Sequence, residues 1–375
     1  MFRKSLLYVV LILTVVSLVT VGCGEKKVAG EIKIGAVLPL TGDAAVYGQA
    51  MKNAIDLAVA DANKETVGGK TIKVVYEDDQ GAPTQAVNSL QKLVSFDKVD
   101  IVIGGAMSSL AAAMIPVADK NKVLLIAPSA SSPALSSKSI YFFRVWPSDV
   151  FEAGEIAKFT YNILKLKTVS CVYVNNDYGK GASEVFKTDF IKLGGTIKVN
   201  EGYEPGSTDF KSVISKVKNS KSEGVYIPGY QKELIGLLRQ SKEMGLKTQF
   251  IGGVGFKDPA IIAAVKDAAE NVVFTTPYYD PEGNDSVTKK FVSDFNTKYK
   301  AVPDIYSAHS YDTARVLIAT FIKGAVSGDS VRKELLALKA FPGVTGSIQF
   351  DANGDVIKPM QIFIVRNGKF VPYAK

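Results

Sequence analysis

The sequence predicts an α/β protein made of two similar lobes, each a parallel sheet with helices on both faces. Three observations lead there. Strand-like and helix-like segments alternate strictly between residues 32 and 126. A second alternating series begins near Asp149. Hydrophobic residues make up 47% of the 375, ample for a large core and too many for a disordered chain. The length itself suggests about two domains.

The first series opens with the β-rich run Ile32–Leu38. Gly48–Asn63 follows as a helix, with Met51, Ala54, Ile55, Ala58, Val59 and Ala62 at helical spacing. Thr71–Glu77 reads as strand, and Thr84–Phe96 as a helix with Pro83 near its start. Asp100–Ile103 is strand, Ser109–Lys120 helix and Val123–Ile126 strand. Such alternation belongs to a parallel sheet. Pro128 to Pro147 is rich in Ser and Pro, but Tyr141-Phe142-Phe143 and Trp146 make it a crossover rather than a flexible linker.

The second series runs helix Val150–Leu164, strand Thr168–Val174, helix Gly181–Leu193, strand Thr196–Val199 and helix Asp209–Lys218. Strand Gly224–Ile227, helix Glu233–Met244, strand Gln249–Ile251 and strand Asn271–Thr275 complete it. The last hundred residues differ. Val287–Tyr299, Tyr306–Val326 and Val331–Leu338 are helical. Gly346–Phe350, a turn at Asn353-Gly354 and Gln361–Val365 read as a hairpin-like end.

The N-terminus gives an address. Arg3 and Lys4 precede the uncharged apolar run Leu6 to Val21, and Val21-Gly22-Cys23 follows. A basic end, a short apolar stretch and a small residue form a secretory signal over residues 1–22. The run is short for a membrane span, which needs about 20 residues, though an uncleaved anchor is the other reading. Gly22-Cys23 resembles the end of a bacterial lipobox, in which the cysteine is lipidated. Thr20 stands where such boxes usually carry Leu. A lipidated Cys23 would make residues 23–30 a polar tether.

Several function classes drop out. One histidine, His309, and two cysteines, Cys23 and Cys171, leave no zinc finger, no Cys/His metal cluster and no disulfide framework. Cys171 lies in an apolar run and reads as a buried small side chain. Net charge is +8 and falls to about +6 without the signal. Only six cations are arginines, and no basic run exceeds two residues, so nucleic acid is not expected. Gly252-Gly253-Val254-Gly255 lacks dinucleotide spacing, and Gly68-Gly69-Lys70-Thr71 is not a P-loop. A serine hydrolase would need His309, which reads as a packing or surface residue of a helix. Asp78-Asp79 ends a strand and reads as turn-forming. No cofactor or metal is expected.

The loops after two strands carry more information. Gly104-Gly105 leads to Ser108 and Ser109 at a helix start, and Ala127-Pro128 leads to Ser129 and Ser131. Ligands of open α/β sheets bind beyond the carboxyl ends of strands. Hydroxyls and free N–H groups there suit a carboxylate. The alternative is that these serines are helix caps and turn formers.

Ile34-Gly35-Ala36-Val37-Leu38-Pro39-Leu40-Thr41-Gly42, then Tyr47-Gly48, resembles the opening of branched-chain amino-acid-binding proteins. These are extracytoplasmic receptors of ABC importers with the type I periplasmic-binding fold. The likeness continues through Tyr76-Glu77-Asp78-Asp79, Asn176-Asp177-Tyr178-Gly179-Lys180-Gly181, Gly245-Leu246-Lys247-Thr248-Gln249-Phe250 and Gly346-Ser347-Ile348-Gln349-Phe350-Asp351. The resemblance implies two Rossmann-like lobes with parallel central sheets joined by three crossovers. Residues 31–148 plus 276–355 would form lobe 1, and 149–275 plus 356–375 lobe 2.

It further implies a small amino acid captured by hinge closure, an ABC permease and ATPase as partners, and a lipid anchor on the outer face of the membrane. A monomer is expected. Ser108 and Ser131 would bind the ligand carboxylate, with Ala130 between Ser131 and Ser129. Ser129 would offer its carbonyl to the ammonium. Tyr47, Tyr178 and Tyr230 would wall the pocket, with Asp149 at the crossover. Val254 stands where the family carries an acid against the ammonium. Either Asp149 or Asp258 supplies that charge, or the ligand is a plain carboxylate, keto acid or amide. An extracytoplasmic sensor, which would need a separate signalling partner, and an amidase or esterase relying on His309 are the rival classes.

Overall fold

Along β1 (Glu31–Leu38) the side chains alternate between two apolar clusters. Ile32, Ile34, Ala36 and Leu38 enter one, and Val37 enters another on the opposite face. β3 (Ile101–Gly104) and β4 (Leu124–Ala127) repeat the pattern. Ile101, Ile103, Leu124 and Ile126 go one way, while Val102, Leu125 and Ala127 go the other. Successive strand residues face opposite sides, so a strand apolar throughout must be covered on both. The computed structural model describes residues 30–373, and it covers both faces with helices.

The first sheet has the order β2-β1-β3-β4-β5, with β2 at Thr71–Asp78 and β5 at Phe142–Arg144. All its pairings are parallel. α1 (Ala45–Ala62) covers one face. α2 (Pro83–Ser95) and α3 (Ser108–Asn121) cover the other.

The chain then builds a second sheet. α4 (Asp149–Asn162) leads to β6 (Thr168–Val174), α5 (Asp177–Lys192) and β7 (Thr196–Tyr203). α6 (Lys211–Ser220), β8 (Gly224–Tyr226), α7 (Gln231–Glu243), β9 (Gln249–Gly252), α8 (Pro259–Val265) and β10 (Val273–Pro277) follow. α9 (Ser286–Tyr299), α10 (Ile305–Ile322) and α11 (Gly328–Ala337) return to the first sheet. There Phe291 stacks on Tyr311 at 4.3 Å, and the Tyr299 hydroxyl donates to the Asn53 carbonyl at 2.8 Å. β11 (Phe341–Gly343) pairs with β12 (Gly346–Ile348). β13 (Met360–Arg366) and β14 (Lys369–Pro372) complete the second sheet, in the order β14-β13-β10-β9-β8-β6-β7. Its last two strands are antiparallel, and the rest are parallel. The backbone therefore passes between the sheets after β5, after β10 and before β13.

Two expectations need correction. Gly346–Phe350 and Gln361–Val365 do not form a hairpin with each other. β12 pairs with β11, whereas β13 joins β10, because Phe363, Ile364 and Val365 bury themselves in the second core. The Asn353-Gly354 turn closes only a short loop, Asp351 N–H donating to the Asp355 carbonyl at 2.8 Å. The Pro128 to Pro147 crossover also contains β5, since Phe142 and Phe143 are buried on opposite faces of the first sheet. α8, β11 and β14 had no counterpart in the sequence reading.

Arg144 fastens the exit of the first sheet. Its side chain is fully buried, and Nε meets Asp355 Oδ1 at 2.6 Å. Nη1 donates to the Ser132 carbonyl at 2.9 Å, and Nη2 to the Ser136 hydroxyl at 2.8 Å. One guanidinium thus joins the loop after β4 to the loop before β13. Its planar fork of donors makes this possible.

The signal, the tether and the Cys23 lipidation site lie outside the described residues. Among the described residues no helix is long and apolar enough to cross a membrane. Cys171 is buried, and burial pushes its thiol up to about 12, as a packing residue requires.

Candidate functional site

The ends of both sheets meet around a cavity of about 40 Å³. Its two sides start from the same local device. After β1, α1 begins with Tyr47-Gly48 in its first turn; after β6, α5 begins with Tyr178-Gly179 in its first turn. A Cβ on Gly48 would sit 2.0 Å from the Pro39 carbonyl oxygen, and one on Gly179 2.1 Å from that of Val174. Only glycine lets each helix start abut its strand end, and the neighbouring tyrosine then lines the cavity.

The first-sheet side is a set of hydroxyls with fixed partners. Gly105 turns the chain after β3 at φ +73, where a Cβ would also strike Ala111 at 2.7 Å. α3 then starts at Ser108 with no side chain capping it. The Ser108 hydroxyl accepts from the N–H of Ser131 at 3.3 Å and of Ser132 at 3.1 Å, so its own proton is left to donate. Ser129 Oγ donates to the Ala106 carbonyl at 2.5 Å. Ser131 Oγ donates to Asp149 Oδ2 at 2.9 Å. The serines are thus turn-fixing and cavity-lining at once.

Aromatic rings make most of the remaining wall. Tyr178 and Tyr230 lie 5.6 Å apart, Tyr47 and Tyr306 4.8 Å, and Trp146 stacks on Tyr306 at 5.5 Å. Burial raises the pKa of all four tyrosines, so their hydroxyls stay neutral. Across the cleft, the Gln231 N–H donates to the Tyr47 hydroxyl at 3.1 Å, and Lys232 meets Asp43 at 2.7 Å. Beyond Tyr47 and Tyr230 lies a wider opening of about 490 Å³, which Ser109 lines.

Tyr47, Ser108, Ser129, Ser131, Tyr178, Tyr230 and Val254 therefore come together on the cavity wall. Ala130 and Asp149 do not line it. Ala130 packs into the core behind, because its side chain points away from its serine neighbours. Asp149 stands one bond back, behind Ser131. Asp258 is spent as the cap of α8, accepting from Ala260 N–H at 2.8 Å, and also accepts from the Gln231 amide. His309 is fully buried against Trp146 at 4.3 Å, and its Nδ1 donates to the Ile305 carbonyl at 2.9 Å. Burial lowers its pKa well below the ordinary value, and none of the pocket serines hydrogen-bonds to it.

Sequence reasoning missed Trp146, Tyr306, Met51 and Met107 on the wall, and Glu152 behind it. Glu152 is 1% exposed, and its Oε1 accepts from the Val254 N–H at 2.8 Å. Its signal was spacing: it lies three residues after Asp149, on the same face of α4. Burial raises the Asp149 carboxyl to about 7, with Ser131 and Arg144 pulling it back. Burial and then the Asp149 charge raise Glu152 well above the usual carboxylate range.

Residues 31–369 match the family model described as periplasmic binding protein. The chain is 30% identical over 330 residues to a leucine-, isoleucine-, valine-, threonine- and alanine-binding protein of Pseudomonas aeruginosa, covering 88% of each. A solved structure of the branched-chain amino acid transporter substrate binding protein LivJ from Streptococcus pneumoniae, in complex with isoleucine, superposes with a TM-score of 0.83 at 29% identity. That match covers 91% of this chain and 97% of the other. A solute binding protein of an ABC transporter from R. palustris, in complex with benzoate, reaches a TM-score of 0.83 at 22% identity, covering 92% and 96%, a likeness of fold. The chain belongs to the periplasmic binding protein family and has its type I fold.

Proposed function

We propose that this protein is the extracytoplasmic receptor of an ABC importer, and that it captures a small hydrophobic amino acid by closing two lobes over it. The observation that carries this reading is the cavity at the sheet ends, with hydroxyls and an uncapped helix start on one side and aromatic rings around the rest. An α3 N-terminus with free N–H groups suits a carboxylate, and the rings and methionines suit an apolar tail. The lobes would be residues 31–148 plus 276–355 and 149–275 plus 356–375. Closure would bury the ligand and present a joint surface to a permease, with Cys23 lipidated as the anchor. No bond is made or broken. A plain carboxylate is the second reading, favoured by Val254, which stands where the family resemblance implies an acid.

A thermal-shift panel of aliphatic and aromatic amino acids, their keto acids, simple carboxylates and short amides tests the reading. Binding to the folded state at one hundred times Kd adds about 2.7 kcal/mol of stability. Hydrophobic amino acids are expected to raise Tm. A panel without any shift would remove the proposal.

A further inference from the structure

We infer that Glu152 is the acid that receives a ligand ammonium, which restricts the ligand to α-amino acids and excludes plain carboxylates. This rests on the capture reading above and sharpens it.

The backbone is moulded around this side chain. Val254 N–H donates to Oε1 at 2.8 Å. Gly253 has no room for a side chain, because a Cβ there would lie 2.8 Å from Glu152 Oε1 and 3.3 Å from the Tyr178 hydroxyl. The carboxyl therefore lies directly behind the patch of wall formed by Tyr178 and Val254. Oε2 is buried with no partner at all. A buried carboxyl held by one amide and otherwise unsatisfied is costly, and such groups call for a reason. The charges nearby point the same way. Asp149 lies on the same helix face, and the buried Arg144, which acts on it, is committed to Asp355. The Glu152 charge, after burial, also raises the hydroxyls of Tyr178 on α5, Tyr226 on β8 and Tyr306 on α10. Among the described residues this wall offers two buried acids and no unpaired cation. A carboxylate placed beside them would find no positive partner, whereas an ammonium supplies one. Val254 loses nothing by being apolar, since its amide, not its side chain, holds the acid in place.

Burial raises the Glu152 carboxyl well above the usual carboxylate range in the empty site, and an ammonium beside it favours the ionised form.

The test uses the full chain and Glu152→Gln, which keeps a carbonyl for the Val254 amide. Calorimetry is run at neutral pH with leucine, isoleucine and valine, with their keto acids, and with benzoate. Wild type is expected to bind an amino acid and not its keto acid. Glu152→Gln should lose about 100-fold in amino-acid affinity, as breaking a buried charge pair does, with an unchanged or higher Tm when empty. Amino-acid affinity within threefold of wild type, or a wild type preferring keto acids or benzoate, overturns the assignment while capture stands. A wild type binding neither class overturns both. Should the variant not fold, Glu152→Asp decides: a marked loss of amino-acid affinity from the shortened acid supports the assignment, and wild-type affinity overturns it.

Discussion

The two sides of the cleft begin alike and end differently. Tyr47-Gly48 and Tyr178-Gly179 are the same solution to the same problem, a helix start pressed against a strand end. Behind Tyr47 the polar groups are neutral and paired: Ser108 holds two amides, and Ser129 holds a carbonyl. Behind Tyr178 stands the acid Glu152, whose Oε2 has no partner, three residues on from Asp149, which accepts from Ser131. The first side's key serines are engaged with fixed partners, although the Ser132 hydroxyl and the Trp146 N–H are unpartnered, and the second leaves a carboxyl oxygen open. A half-satisfied acidic wall is poorly stabilised when empty, which fits the proposed capture and release.

The largest expected effect is on the first side. Arg144→Met removes the guanidinium that joins the loop after β4 to Asp355, and breaking such a buried pair costs about 3–5 kcal/mol. Denaturant unfolding measures it, and a loss under about 1 kcal/mol would mean that this side is not held by Arg144. Ser108→Ala comes next. It leaves two buried amides without an acceptor, a cost of about 1–3 kcal/mol, and on the proposed reading it removes a donor to the ligand. Lower Tm and weaker binding should appear together; weaker binding alone would show that the amides find another partner.

The third prediction concerns the second side. The folded-state carboxyl of Asp149 sits at about 7, against about 3.9 unfolded. Between those values the folded protein holds the extra proton, so this contribution is present below the unfolded value and lost as pH rises through about 7. The empty Asp149→Asn variant should therefore gain Tm over wild type progressively from pH 4 to pH 8. A constant difference would show that Asp149 stays charged throughout. The smallest effect belongs to Asp43→Ala at the rim, where Lys232 and Asp43 are exposed. Such pairs are screened by salt, so any change in affinity should vanish at high ionic strength.

Much of this was legible in the sequence, and the gaps have physical causes. Apolar periodicity located the long helices and the buried strands because one residue type on one face decides both. Phe142-Phe143-Arg144 was too short for periodicity, and its serine-rich flanks suggested a connection; only the edge of β4 makes it a strand. Gln361–Val365 was recognisable as extended, but its partner Val273–Pro277 lies over eighty residues away, and nothing local distinguishes it from Gly346–Phe350. The serines stood out because they follow strand ends. Glu152 did not, because an acid in the first turn of a helix normally serves the helix dipole in water. What separates the two roles is burial, a property of the closed fold rather than of the chain.

Trp146 is the chain's single tryptophan, and it lies on the cavity wall between Tyr306 and His309. The intrinsic indole emission of this protein therefore comes from one ring at one place. Ligand entry changes the dielectric and the quenching groups around that ring and nowhere else that emits in the same band. The molecule carries its own optical reporter of occupancy, and a titration can be followed in the native chain without a label.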